Sequence, residues 1–120
     1  MTLDSNNNIL VASDDAALVK AISGSLHANG FRVCTANQHA NHPPRLIVLD
    51  TEASSETRAR VLNPFGCDPD GTTPPIVALS PRAALKETAA QKGVWVCLAK
   101  PIELDSLLSA VERISDYTSA

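Results

Sequence analysis

Five short apolar runs, each followed by polar or proline residues, set the terms on which this chain can fold. NILVA (residues 8–12) ends at Ser13-Asp14-Asp15, FRVCT (31–35) alternates weakly, and RLIVL (45–49) runs into Asp50. PIVAL (75–79) runs into Ser80, and VWVCL (94–98) precedes Ala99-Lys100-Pro101. Runs this short, rich in β-branched residues and bounded by polar residues or proline, read as buried strands. Four of the five are apolar nearly throughout, as expected of a sheet covered on both faces.

Helical patterns lie between the runs. Residues 15–29 place Leu18, Ile22 and Leu26 on one face, with Asp14 or Asp15 available as a cap and Gly30 as the stop. Residues 53–62 form a shorter, more polar helix candidate, followed by a loop rich in Pro, Gly and Asp over 63–75. Residues 81–92 are Ala-rich and open on Pro81, a first-turn residue. Residues 103–115 carry Leu104, Leu107, Leu108, Val111 and Ile114, the clearest amphipathic stripe in the chain. Strand–helix alternation predicts a parallel sheet with helices on both faces. The polar link 36–44, with two prolines, predicts an irregular connection or barely a turn of helix.

At 120 residues the chain is one domain, and 44% apolar residues against 19% charged exclude a disordered tail. The expected organisation is a domain over 8–116, a flexible start over 1–7 and a tail over 117–120. A net charge of −3 argues against direct nucleic-acid binding. No apolar window approaches the roughly 18 residues of a membrane span. The start, MTLDSNNN, has neither the basic nor the apolar region of a signal peptide. Cys34, Cys67 and Cys97 form neither a disulfide framework nor a zinc pattern. They read as small buried hydrophobes, with Cys67 the most exposed, in a reduced, cytoplasmic setting. His27, His39 and His42 have no carboxylate or cysteine at ligand spacing and read as solvated.

In an open parallel sheet, ligands bind beyond the carboxyl ends of the strands. Ser13, Asp14 and Asp15 follow the first run, Asp50 the third, Ser80 the fourth and Lys100 the fifth. Carboxylates at neighbouring strand ends repel each other unless a cation sits between them, and an all-oxygen set with room for water suits Mg²⁺. A carboxylate beside such an ion can attack phosphorus and form an acyl phosphate. The ion and a lysine neutralise the transferring phosphoryl oxygens, and a hydroxyl adds a hydrogen bond.

These pieces resemble the receiver domains of bacterial two-component signalling, the chemotaxis-type response-regulator fold. "ILVASDDAALVKAISGSLHANGFRV" resembles the family's first strand, acidic turn and first helix, and "RLIVLD" its third strand ending in the phosphoacceptor. "PIVALS" resembles the strand with the Ser/Thr switch, and "GVWVCLAKPIELDSLLSAVERI" the fifth strand, Lys-Pro signature and last helix. The resemblance runs from residue 8 to about 115. It implies a flavodoxin-like, doubly wound, five-stranded parallel sheet of order 2-1-3-4-5, here with a short or missing second helix. It also implies phosphorylation of Asp50 by a histidine kinase or phosphotransfer protein. Mg²⁺ would bind Asp14, Asp50 and the backbone carbonyl of Glu52. Ser80 and Lys100 would contact the phosphoryl group, and the Lys100–Pro101 bond would be cis. Such a domain is a switch and not a metabolic enzyme, catalysing only its own phosphoryl transfer and hydrolysis. Its output goes to a protein partner or a fused output domain.

Several positions depart from the family pattern. Ser13 replaces the first carboxylate of the acidic pair, and Asp15 can restore part of that charge through water. After Asp50, Thr51-Glu52-Ala53-Ser54-Ser55 lacks the usual Met-Pro and Asp-Gly. The Glu52 carboxylate is either a solvated loop group or one that repels a phosphodonor or positions a water. The interval from Asp14 to Asp50 is short, and so is that from Ser80 to Lys100. Cys97 stands where the family has the Tyr or Phe that couples phosphorylation to output. Trp95, placed on the same side by a period of two, either takes over that coupling or covers the sheet edge. Two alternatives therefore stand beside the phosphoswitch. One is a phosphorylation-independent receiver acting as a protein–protein interaction module. The other is an unrelated flavodoxin-like enzyme or nucleotide binder, against which stands the lack of a Gly-rich phosphate loop.

Overall fold

A computed structural model describes residues 8–35, 44–65, 74–91 and 93–118. Its strands are β1 (Asn8–Ala12), β2 (Arg32–Thr35), β3 (Leu46–Asp50), β4 (Ile76–Pro81) and β5 (Val94–Lys100). The helices are α1 (Ala16–Ala28), α2 (Ser55–Phe65), α3 (Leu85–Ala89) and α4 (Leu104–Thr118). The strands form one parallel sheet in the order β2-β1-β3-β4-β5, a flavodoxin-like arrangement.

The apolar runs divide between two cores, as alternating strand side chains require. Ile9, Val11, Leu46, Val48, Val77 and Leu79 pack with Ile22 and Leu26 of α1 and Leu107, Val111 and Ile114 of α4. Leu10, Ala12, Ile47, Leu49, Ile76 and Ala78 pack on the opposite face with Val61 of α2. Removing one such aliphatic side chain from water contributes about 1.5–3 kcal/mol. The helices are therefore held unequally. α4 buries three large apolar side chains and α1 two, whereas the single buried side chain of α3 is Thr88.

The ends of α1 follow from its sequence. Asp15, not Asp14, is the cap: its Oδ1 accepts the Leu18 N–H at 3.1 Å. At the other end Gly30 has φ +91°, with its N–H donating to the His27 carbonyl at 3.2 Å and the Phe31 N–H to the Leu26 carbonyl at 3.1 Å. This is the Schellman closure, which needs a left-handed residue at the glycine position. Phe31 packs into the same core as Leu26 and completes it.

Three expectations are corrected. The helix predicted over 81–92 is far shorter: Pro81 ends β4 opposite Lys100, a 3-10 turn follows over Arg82–Ala84, and only Leu85–Ala89 is α-helical. The segment has helix propensity but no apolar stripe to bury, and propensity alone does not hold a short helix. The helix predicted over 53–62 instead spans Ser55–Phe65. The period of two that placed Trp95 beside Cys97 is interrupted. Ile76 pairs with Val94 and Val77 with Val96, so Trp95 is the extra residue of a bulge. Val94 and Cys97 both pack on the α2-side core, while Trp95 is 49% exposed.

Most of the 36–44 link and of the 63–75 loop lies outside the described residues, as do Cys67, His39, His42 and the segment 1–7. Among the described residues, no helix is long and apolar enough to cross a membrane.

Two glycine substitutions should move stability in opposite directions. Nothing lies within 4 Å of a Cβ built at Gly24 or at Gly30, so backbone conformation alone decides. Gly30→Ala forces alanine into the left-handed region and should cost about 1–2 kcal/mol. Gly24→Ala, inside α1, should stabilise by about 0.5–1 kcal/mol. Thermal denaturation checks both, with Tm moving by about 4 °C per kcal/mol for a domain of this size.

Candidate functional site

Of the polar residues predicted at the strand ends, Ser13 and Lys100 meet at Asp50. It is the last residue of β3 and is 3% exposed. Register explains how Lys100 reaches it. Asp50 pairs with Leu79, and Leu79 with Leu98, so these three lie in one row across the sheet. Lys100 is two residues beyond Leu98 and returns to the same face. Its Nζ donates to Asp50 Oδ1 at 2.6 Å and to Glu52 Oε1 at 2.8 Å. The peptide bond that follows, Lys100–Pro101, is cis.

Asp50 has further donors. Ser13 Oγ donates to Oδ2 at 2.6 Å, and the Glu52 N–H donates to Oδ1 at 2.9 Å. The same Ser13 oxygen accepts the Asp15 N–H at 3.1 Å, which ties the turn after β1 to the site. Thr51 is pinned across the sheet, with its N–H and its Oγ1 both donating to the Leu79 carbonyl, at 2.9 and 3.1 Å.

These contacts fix the protonation states. Burial pushes the Asp50 carboxyl up, but the bonds from Lys100, Ser13 and the Glu52 N–H, together with the Lys100 charge, hold it below the ordinary 3.8. Desolvation pulls Lys100 down, and its bonds to Asp50 and Glu52 more than offset this, holding it above 10.5. At neutral pH the site is thus a carboxylate facing an ammonium. Glu52, expected either as a solvated loop group or as a charge at the site entry, is paired with the lysine, its side chain remaining largely exposed.

Asp14 is placed differently. It is exposed, its Oδ1 accepts from Thr57 Oγ1, and its Oδ2 accepts the Ser54 N–H. The Thr57 hydroxyl first, and the Ser54 N–H second, lower its pKa. Ser54 also caps α2 directly, its Oγ accepting the Thr57 N–H at 3.2 Å. Asp14 therefore ties the β1–α1 turn to the start of α2. Among the described residues no group of three His, Cys, Asp or Glu side chains forms a metal cluster. The donor set still suits a hard divalent cation, because two carboxylates held ionised follow the adjacent strands β1 and β3.

Ser80 closes β4, is fully buried, and is two residues beyond Ala78 on the α2 side of the sheet. Its Oγ donates to the Pro81 carbonyl at 3.3 Å and lies 3.0 Å from Thr88 Oγ1. Cys97 pairs with Ala78, so this face carries a thiol. Burial raises that thiol's pKa, which disfavours the reactive thiolate.

Sequence reasoning missed the Ser13 hydroxyl as a donor to Asp50, the Ser54–Thr57 pair under Asp14, and Thr88. Ser54, an N-cap residue type just ahead of α2, was a readable capping signal. Nothing in the local pattern marked Thr88.

No protein-family model matches this sequence, and no curated protein matches it. Solved structures do match in fold. A response regulator receiver protein from Burkholderia phymatum superposes with TM-score 0.73 at 20% identity, over 91% of this chain and 94% of that one. The chemotaxis response regulator CheY4 of Vibrio cholerae gives TM-score 0.72 at 18% identity, over 89% and 97%. NtrX from Brucella abortus gives TM-score 0.73 at 21% identity, over 93% of this chain but 27% of that longer one. The fold is that of response-regulator receiver domains.

Removing Lys100 should expose what it does for Asp50. Lys100→Met leaves a buried carboxylate without its cation and should cost roughly 2–3 kcal/mol. The Asp50 pKa should then rise above 3.8, since burial is no longer opposed by the ammonium. Because the native pKa is lowered, the pair stabilises the fold above about pH 3.8 and loses that contribution as the pH falls through the native value. The raised lysine contributes below about pH 10.5 and loses its part as the pH rises through its native value. In urea unfolding, the gap between wild type and Lys100→Met should narrow as the pH falls below 3.8.

Proposed function

We propose that this protein is a cytoplasmic phosphoacceptor receiver of two-component signalling, with Asp50 as the acceptor. The observation that carries the reading is the Asp50–Lys100 pair, at 2.6 Å on the carboxyl edge of a receiver-fold sheet. Ser13 and the Glu52 N–H add hydrogen bonds to the same carboxylate.

In the reaction, a carboxylate oxygen of Asp50 attacks phosphorus of a phosphohistidine on a kinase or phosphotransfer protein. The new O–P bond forms as the P–N bond breaks, and the leaving imidazole takes up a proton. Lys100 pairs with Asp50 before transfer and with a phosphoryl oxygen after it, so no cation is left unmatched. Ser13 and the Glu52 N–H hold the carboxylate in place. Mg²⁺ would be held by Asp14, Asp50 and the Glu52 backbone carbonyl, with Asp15 acting through water, and would supply positive charge against the phosphoryl oxygens. Asp14 already accepts from Ser54 and Thr57, so cation binding competes with those bonds. The protein acts as a switch toward a protein partner or a fused output domain, and its only catalysis is of its own phosphoryl transfer and hydrolysis.

A second reading is favoured by one observation: both oxygens of Asp50 are already satisfied by groups of the protein itself. A carboxylate so held supports a receiver that presents one surface to its partner and is never phosphorylated.

Incubation with Mg²⁺ and a small acyl-phosphate donor separates the two. We expect intact mass to increase by one phosphoryl group, hydroxylamine to remove it, and Asp50→Asn and chelation of the cation each to abolish it. An unmodified wild type in a folded sample supports the second reading. Undiminished modification of Asp50→Asn overturns the site.

A further inference from the structure

The strand order β2-β1-β3-β4-β5 reverses direction between β1 and β3. The chain leaves β1 toward β2 through α1, and leaves β3 toward β4 through α2. α1 packs on one face of the sheet and α2 on the other, so a crevice opens beyond the strand ends, between the starts of the two helices. Its volume is about 500 Å³, within the range of small-molecule sites. Asp50 is not among the described residues that line it.

Helical spacing sets the charge of this crevice. Ala16, Val19 and Lys20 of α1 form one wall, and Thr57 and Arg60 of α2 the other. Intervals of three and four residues put each set on one helix face. Each wall thus carries a cation. At the end of β1 lies Asp14, the one carboxylate among the described lining residues. Its charge is already matched, because its two oxygens accept from Thr57 and Ser54. Glu56 stands 3.7 Å from Arg60, but both side chains are well exposed, and such a pair holds a guanidinium weakly. Among the described residues Lys20 has no ion-pair partner. Two cations therefore face one cavity, an arrangement that a bound anion relieves.

The geometry points to a binding site for a small phosphate monoester, its phosphate between Lys20 and Arg60 and its organic group against Ala16 and Val19. A planar guanidinium takes two oxygens of one phosphate and the ammonium takes the third. A carboxylate has two oxygens and would leave one cation poorly matched. The inference does not rest on phosphorylation of Asp50. The site stands beside the candidate acceptor and shares Ser13 and Asp14 with its surroundings.

Phenyl phosphate joins a phosphate to an apolar ring and serves as the probe, titrated without divalent cations and followed by amide NMR. We expect saturable shifts at Ala16, Val19, Lys20, Thr57 and Arg60, with a Kd on the order of 1 mM for a ligand of this size. Inorganic phosphate should bind more weakly, and phenol should not bind. Lys20→Gln and Arg60→Gln should each weaken binding about tenfold, the factor for one charge-assisted contact. Both side chains are exposed, so these variants keep the fold. Lys86→Gln, which removes an exposed cation on α3, should leave binding unchanged, and so should Asp50→Asn. Shifts that centre on Asp50 and Lys100 and vanish in Asp50→Asn place the anion at the acceptor and overturn the inference. Equal weakening in all three cation variants reveals general attraction to positive charge and overturns it too. So does a lack of saturation at roughly ten times the expected Kd. Failure of Asp50 to accept a phosphoryl group overturns the proposed function alone, because this site is read from Lys20 and Arg60.

Discussion

A carboxylate that is 3% exposed stays ionised only if the protein supplies what water would have supplied. Asp50 receives a lysine, a serine hydroxyl and a backbone N–H, and each comes from a different part of the chain. Ser13 requires the turn after β1 to lie beside β3. Lys100 requires β5 to reach two residues beyond Leu98 on the face that Asp50 occupies. The Glu52 N–H requires the chain to fold back directly after β3, which the bond from the Ala53 N–H to the Asp50 carbonyl accomplishes. The parallel sheet is the scaffold that meets all three demands, because it brings the ends of β1, β3 and β5 to one edge.

The residues around that carboxylate carry more than one obligation. Lys100 serves two carboxylates, and Glu52 is the one in contact with solvent. Asp14 organises the start of α2 while belonging to the oxygen set a cation would use. Ser80 shares a hydrogen bond with a threonine on α3. A change at Asp50 therefore reaches Glu52 directly through Lys100, whereas α2 and α3 are held by Asp14 and Ser80. Among the described residues the buried side chain of α3 is the polar Thr88, whereas α2 buries Val61.

Much of this was legible in the residues. Asp50, Ser80 and Lys100 could be placed because each follows an apolar run that could only be a buried strand, and a parallel sheet sends all such ends to one edge. α4 was legible because Leu107, Val111 and Ile114 recur at helical spacing. Other features depend on information that local pattern does not hold. The bulge at Trp95 inserts one residue into a period-two run, and a run of apolar residues looks the same with or without it. α3 was overestimated because alanine-rich composition signals propensity, whereas length is set by how much apolar surface a helix can bury. Asp14 was read toward a metal and Asp15 left open as a cap. A carboxylate in a turn serves either purpose, and only the position of α2 shows that Ser54 and Thr57 hold Asp14.

The bulge has a consequence beyond the placement of Trp95. β5 is an edge of the sheet, and a straight parallel edge offers a row of free backbone groups to any passing extended chain. One extra residue against Ile76 and Val77 breaks the even spacing of that row and adds local twist. A second strand could match β5 on one side of the break or the other, but not along its whole length. The irregularity that turns an indole outward thus also divides the β5 edge of the sheet into two shorter stretches.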